Sequence, residues 1–241
     1  MRPTWLICAR EFRAYFLTPL GYGLVAALLC LHGLYFNVTL LQGEHSSYEV
    51  VQGYFFQSSG FVAAVAVLVT MRAFAEERQT GTAMLLLTAP LPEWQLVLGK
   101  FLGAFGFLCV YVALSAYMPL LIMVNGAVTP GHLVAGYVGL LALGAVVTAI
   151  GTLTSALSNS QLLAAVLAAS IVALLFACWV VAGAVQGVLG EAIAYLDLML
   201  SHYLSFSRGV IKLSTLVYYA SLVYLALLAA SVALRLRRWG A

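Results

Sequence analysis

The chain has 241 residues, of which 64% are hydrophobic and 8% charged, with 11 basic and 8 acidic side chains giving a formal charge of +3. A soluble domain is about half apolar and roughly a quarter charged, so this composition excludes one and points to an integral membrane protein. The apolar runs are too long and too uniform for alternating barrel strands, which leaves an all-α membrane fold.

Residues 1–19 open the chain with Trp5, Cys8, Phe12, Tyr15 and Phe16 at steps of three and four, and Arg10, Glu11 and Arg13 mostly between them. That spacing predicts an amphipathic helix lying in the membrane interface, limited by Pro3 and Pro19. The alternative is a juxtamembrane extension of the first span. The charges interrupt any short apolar core, so the segment does not read as a cleaved signal peptide.

Six windows are long and apolar enough to cross: 20–41, 54–75, 96–124, 133–157, 162–185 and 215–236. With six spans, Arg2, Arg10, Arg13, Arg72, Arg78, Lys100, Arg235, Arg237 and Arg238 fall on one side and Arg208 and Lys212 on the other. The positive-inside rule then places both termini in the cytoplasm.

His32 is the one ionisable residue near the middle of a span, and it reads as a helix–helix hydrogen-bonding residue. Cys8, Cys30, Cys109 and Cys178 lie in or beside apolar helices without a CxxC spacing, and read as small buried side chains. Gly99 with Gly103, and Gly183 with Gly187, form GxxxG pairs, while Gly136, Gly139 and Gly144 stud the fourth span. Such glycines permit close helix approach, within the bundle or between two copies.

The stretch 73–100 is the only substantial internal loop. The second helix is expected to run on through Glu76, Glu77 and Arg78 and to end at Gly81, the residue free to take a left-handed cap. Thr82 suits the N-cap of a short helix over Ala83–Thr88, and Pro92 and Glu93 the first turn of the third span. Leu85, Leu86 and Leu87 project from that loop as an apolar knob for a partner. The alternative is a short helix lying on the membrane surface, with Glu76 pairing Arg72.

On the outer side, 186–214 is long. Its apolar piece, Ala192–Leu200, is too short to cross and is interrupted by Asp197, which predicts a re-entrant or surface-lying segment. It is either an external gate or a packed cap.

No HExxH, GxSxG or P-loop is present, since Gly99-Lys100 is followed by Phe101. No catalytic, cofactor-binding or metal-binding residue is therefore assigned. The lack of intramembrane charge also disfavours a six-span secondary carrier.

Against this reading, "FAEERQTGTAMLLLTAPLPEWQLVLGKFLGA" resembles the E-R-x-x-G-T, L-L, P, V-x-G-K pattern of ABC-2 type transporter permeases. "LSHYLSFSRGVIKLSTLVYYASLVYLAL" is similar to the gliding-motility-associated branch, apart from Lys212, where that branch has an acidic residue. The resemblance implies a single permease domain over 1–241, with a type V exporter-like fold of six spans in the bacterial cytoplasmic (inner) membrane. It implies pairing with a second permease chain and a cytoplasmic ATP-binding subunit that holds ATP and Mg, with an extracytoplasmic auxiliary protein as a further partner and no nucleic acid. Carried onto this chain, 72–95 is the coupling loop and Ala83–Thr88 the coupling helix. Leu85 and Leu86 are its apolar anchors, with Glu76, Glu77 and Arg78 contacting the ATPase or the N-terminal helix and Gly81 and Thr82 shaping the turn. Arg10, Phe12 and Arg13 belong to the interface helix, and Tyr195, Asp197, His202, Tyr203 and Arg208 to an outer gate or auxiliary contact. The function implied is ATP-driven export; the alternative is a membrane subunit that transmits motion to periplasmic partners without transporting anything.

Overall fold

The computed structural model describes residues 2–38, 46–82, 91–125, 128–185 and 187–239, and among them every regular element is helical. In chain order these are α1 (Arg2–Leu17), α2 (Pro19–Phe36), α3 (Ser47–Thr70), α4 (Ala75–Gln79), α5 (Glu93–Ser115), α6 (Tyr117–Asn125), α7 (Pro130–Leu157), α8 (Gln161–Ala184), α9 (Val188–Leu196), α10 (Leu204–Ser207) and α11 (Leu213–Trp239). Hydrocarbon offers no partner to a free backbone group, so the chain breaks its helices only where something else satisfies the ends. Ser46 and Glu49 close a reciprocal cap at the start of α3, and the Ser160 hydroxyl accepts from Leu163 N–H at the start of α8. Pro19 and Pro130 occupy the first turns of α2 and α7. Pro92, expected inside the first turn of the third span, is instead its N-cap.

Among the described residues, five helical segments are long and apolar enough to cross a membrane: Ser47–Gln79, Glu93–Val124, Pro130–Leu157, Gln161–Ala184 and Leu213–Arg238. A sixth is counted when α1 and α2 are taken together; the 18 residues of α2 span about 27 Å, close to the hydrocarbon thickness. Helix α2 meets α1 at a 70° bend. Thr18 is extended there, and the fold-back is tight enough that a Cβ on Gly21 would sit 1.8 Å from the Tyr15 carbonyl oxygen. The bend lets α1 run across the end of the bundle instead of continuing the span.

The bundle has a centre and a periphery. In α3 and α7 67% of the residues of the apolar window are buried, against 22% in α8 and 17% in α11. Glycines on α7 make that centre possible. A Cβ on Gly139 would meet Phe206 Cβ at 2.4 Å, one on Gly144 would meet Leu108 at 2.4 Å, and one on Gly151 would meet Thr70 Oγ1 at 1.9 Å. These glycines therefore pack within the chain, against α10, α5 and α3 in turn. Gly183 and Gly187 have no neighbour within 4 Å among the described residues.

His32 lies where a helix-to-helix bond was expected. It is buried, with Nε2 3.0 Å from Ser58 Oγ and Nδ1 3.5 Å from Tyr111 OH, and its ring stacks between Tyr54 and Phe61. Tyr54 OH donates to the Ser115 carbonyl at 3.0 Å, so α2, α3 and α5 share one polar cluster. The four cysteines are free thiols.

Outside, α9 folds back along α8. Leu198 N–H donates to the carbonyl of Leu175, which lies nine residues before the end of α8, so the segment dips about 13 Å back along it. The chain turns there through Met199–Tyr203, with a Tyr203 N–H to Leu198 carbonyl bond of π type, and leaves through α10 and the left-handed Gly209.

Replacing Gly139 by Val is expected to destabilise the bundle by about 1–3 kcal/mol, because Phe206 Cβ is close to its own backbone and cannot swing away. Gly183→Val, where the space is open, is expected to change little. Thermal unfolding of the purified protein in detergent compares the two.

Candidate coupling site at the inner face

At the end of the bundle marked by the cation bias, α3 is interrupted by a turn at 71–74 before α4. The turn leaves the N–H groups of Phe74 and Ala75 without helical partners. Ser155 of α7 supplies one: its Oγ accepts from Phe74 N–H at 3.0 Å and Ala75 N–H at 3.2 Å, and donates to the Met71 carbonyl. Helix α4 then ends at Thr80, and Gly81 takes φ +74°, the left-handed conformation the sequence required.

Beneath α4 lies Lys100, an ammonium 2% exposed in the first half of α5. Its Nζ is 3.1 Å from Glu11 Oε1 on α1, 2.8 Å from Glu77 Oε1 on α4, and bonded to the Ala73 carbonyl, with the Phe74 ring 5.1 Å away. Arg10 closes the group, 2.8 Å from Glu11 and 3.4 Å from Glu77. Two cations and two carboxylates thus join three segments that are far apart in sequence. Burial acts to raise the Glu11 pKa, but the Lys100 charge and the Arg10 and Lys100 hydrogen bonds outweigh it and hold the carboxyl below its ordinary value.

The contact is close because α5 is smooth where α1 lies. A Cβ on Gly99 would meet Ile7 Cβ at 2.8 Å, and one on Gly103 would meet Glu11 Cβ at 2.6 Å. The face of α1 turned inward is Thr4, Ile7, Cys8, Glu11, Phe12 and Tyr15; Trp5, Arg10 and Arg13 are exposed. The expected apolar face therefore shifts by part of a turn, because the glycine groove of α5 admits Glu11 where Lys100 awaits it.

Arg78 faces α7. Its guanidinium donates to the carbonyls of Ala156 and Ser158, and Arg237 of α11 adds bonds to the Leu157 carbonyl and to Asn159 Oδ1 at 3.0 Å. Both arginines cap the carbonyl end of α7, where the helix dipole is negative. Arg238 pairs with Glu93 at 3.0 Å, fastening the end of α11 to the start of α5.

The residues assigned to ATPase contact therefore divide. Glu77 turns to Lys100 and the N-terminal helix, and Arg78 to α7, while Glu76, Gly81 and Thr82 stay exposed. The Thr82 hydroxyl points back to the Glu77 carbonyl at 3.3 Å. The helix it was expected to cap, Ala83–Thr88 with Leu85 and Leu86, lies outside the described residues. Lys100 was read as a topology marker and as the lysine of the V-x-G-K pattern, with no structural partner assigned; its position beside Gly99 and Gly103 was the signal that it shares a packed face.

At the other end, three of the five outer residues are buried. Asp197 Oδ2 accepts from Ser201 N–H at 2.7 Å, His202 stacks on Tyr218 at 4.1 Å, and Tyr203 OH donates to the Phe55 carbonyl at 2.7 Å. Tyr195 and Arg208 are exposed. In this structure the segment is closed over by its neighbours, an arrangement that a packed cap and a shut gate share.

An all-helical bundle with five long spans, a sixth across a bend and an ion-paired inner face defines a multi-pass membrane protein. Its sequence matches, over residues 25–200, the family described as ABC-2 family transporter protein, and the chain belongs to that family. The match takes in α3 to α9 and most of α2. No curated protein matches the chain. Membership makes it the permease component of an ABC transporter, a lipid-embedded partner of an ATP-binding subunit.

Lys100→Met leaves Glu11 and Glu77 facing each other without their buried cation, with the exposed Arg10 as their remaining shared partner, and is expected to cost about 3 kcal/mol. Adding Glu11→Gln and Glu77→Gln is expected to recover part of it; unfolding midpoints of the series measure this. The depressed Glu11 carboxyl contributes stability above its ordinary pKa of 4.5 that is lost as the pH falls below that value. Glu11→Gln is expected to flatten the acid limb of a stability–pH profile.

Proposed function

We propose that the chain is the membrane subunit of an ABC-2 exporter in the bacterial cytoplasmic membrane, forming one permease domain over 1–241, and that a separate cytoplasmic subunit binding ATP and Mg docks on its inner loop. The docking surface is the coupling helix Ala83–Thr88 with the exposed rim of Glu76, Gly81 and Thr82, and with Arg10 and Arg13 of α1 beside it. Two permease chains pair, and closure of the ATPase dimer pushes the loops and changes how the two bundles pack.

The observation that carries this reading is the Lys100 cluster. It lies directly before the loop and binds α4, the 71–74 turn, α1 and α5 through one buried ammonium. A push that reaches α4 is then passed through this one cluster to both the interface helix and the central span α3. Such an ionic join is a costly way to hold a static helix end, and a suitable one for segments that must move together.

A second reading keeps the same lever and changes the load: motion is passed to an extracytoplasmic auxiliary protein and nothing crosses. The closed outer segment, with Tyr195 and Arg208 left exposed on it, supports that alternative.

The test is co-purification with the candidate ATPase, comparing the wild type with Leu85→Asp/Leu86→Asp and recording complex recovery and ATP turnover. The double variant is expected to insert and dimerise but to lose the complex. Unchanged association and turnover would remove the coupling assignment.

A further inference from the structure

An open crevice of about 260 Å³ lies between α5 and α11. Trp94 and Leu98 stand on one wall, four residues apart, and Tyr224, Leu228 and Ser231 on the other, at steps of four and three. No charged side chain lines it, and the Ser231 hydroxyl is already bonded to the Leu228 carbonyl at 2.7 Å. Trp94, Tyr224 and Leu228 are exposed, so a molecule in the bilayer can reach them.

Charge gathers at the inner end. The stripe through Tyr224, Leu228 and Ser231 arrives one turn later at Arg235 and three residues on at Arg238, while Glu93 directly precedes Trp94 on the facing helix. Arg238 pairs with Glu93 at 3.0 Å. Arg235 is exposed, has no hydrogen bond or ion pair among the described residues, and acts on Glu93 only at a distance. Two guanidinium groups and one carboxylate leave one positive charge in excess.

Depth decides what fits. A crossing takes about 20 residues, so with Arg235 at the inner boundary the outer boundary falls around residue 215 and the midplane around 225. The stretch from Tyr224 to Ser231 therefore lines the inner half of the hydrocarbon. Trp94, in the first turn of α5, is at the headgroup level, where tryptophans of membrane proteins gather. An apolar channel one leaflet deep with a spare cation at its mouth matches an acyl chain below a phosphate. A second copy would have to bring a carboxylate to Arg235, yet Glu11, Glu77 and Glu93 are already ion-paired and Glu76 belongs to the coupling rim.

We propose that this crevice seats an acyl chain of an anionic inner-leaflet phospholipid, with the lipid phosphate held by Arg235 beside Trp94. The site goes beyond the exporter reading and needs only a chain inserted with its termini inside.

The experiment uses the full chain alone in phosphatidylcholine nanodiscs. A trace of phospholipid carrying a diazirine in its acyl chain is added, with a phosphatidylglycerol headgroup in one arm and phosphatidylcholine in the other. Adducts on 94–98 and 224–231 are mapped by mass spectrometry and normalised to the rest of the chain. The anionic probe is expected to label these segments roughly fivefold more, the ratio one interfacial cation supplies, and to lose that preference at high salt. Arg235→Gln is expected to abolish the preference. Glu93→Gln releases Arg238 and is expected to raise it by about the same factor, whereas a pair that served only to fasten α5 to α11 would lower it on loss. Leu228→Trp is expected to fill the crevice and reduce labelling by both probes. Equal labelling by the two headgroups, a preference that survives Arg235→Gln or falls with Glu93→Gln, or labelling that Leu228→Trp leaves unchanged would overturn the proposal. So would loss of labelling when two chains share a disc, which would assign the crevice to a second copy. No readout involves the ATPase, so failure here leaves the coupling assignment standing, and loss of coupling leaves the lipid site standing.

Discussion

Everything in this bundle depends on how closely other elements approach α7. Inside a bilayer, helices gain nothing from withdrawing apolar surface from water, so dispersion contact and interhelical hydrogen bonds must hold them. Gly139, Gly144 and Gly151 bring Phe206, Leu108 and Thr70 to the surface of α7. The re-entrant hairpin, α5 and α3 are therefore positioned by one helix, and α2, α8 and α11 are left with largely exposed apolar surfaces. Where the backbone ladder fails, side chains from that same centre repair it. Ser155 satisfies the 71–74 turn, and in return Arg78 and Arg237 cap the carbonyl end of α7.

The inner face is built by a different force. A buried ammonium is tolerated only with good partners, and Lys100 has two carboxylates and a carbonyl within bonding distance. Because Glu11 and Glu77 come from segments 66 residues apart in sequence, the cluster gives α1 a place that its amphipathic pattern alone does not provide. An interface helix held by lipid affinity would slide; α1 is registered by Glu11 and by the two glycines that admit it.

The sequence was legible where local rules govern. Span positions follow from apolar run length, the end of α4 from the need for a positive φ at Gly81, and the bend before α2 from Pro19. Periodicity says only that Glu11 differs from its neighbours, and assigns such a residue to water. That assignment failed because its partner is 89 residues away, and no window of the chain contains both. Arg78 illustrates the same limit. In the sequence it belongs to an exposed-looking E-E-R run, yet the uncharged SALSNSQ turn after α7 has no cation of its own and draws one from across the bundle. The burial of the outer residues was not legible either: Asp197 and His202 are bonded within their own segment, to Ser201 N–H and the Tyr195 carbonyl, and Tyr203 reaches the Phe55 carbonyl of α3, 148 residues away in sequence.

Helix α3 joins the two ends of this account. Its inner end is held by Ser155 and, through the turn, by Lys100, while its outer end is closed by the reciprocal cap of Ser46 and Glu49. Between them it is unbroken from Ser47 to Thr70, its middle held by Ser58 and Tyr54 in the His32 cluster. The departure from regular helix on this path is the 71–74 turn, and that turn is bonded on one side to α7 and on the other to the ion cluster. That turn and α4 are therefore tied to α7 twice, by the neutral Ser155 bonds and by the charged Arg78 bonds to the Ala156 and Ser158 carbonyls, while the buried Lys100 bonds tie them to α1 and α5. Because charge-assisted bonds hold it on both sides, the inner end of α3 is located by its neighbours where its own backbone ladder is interrupted.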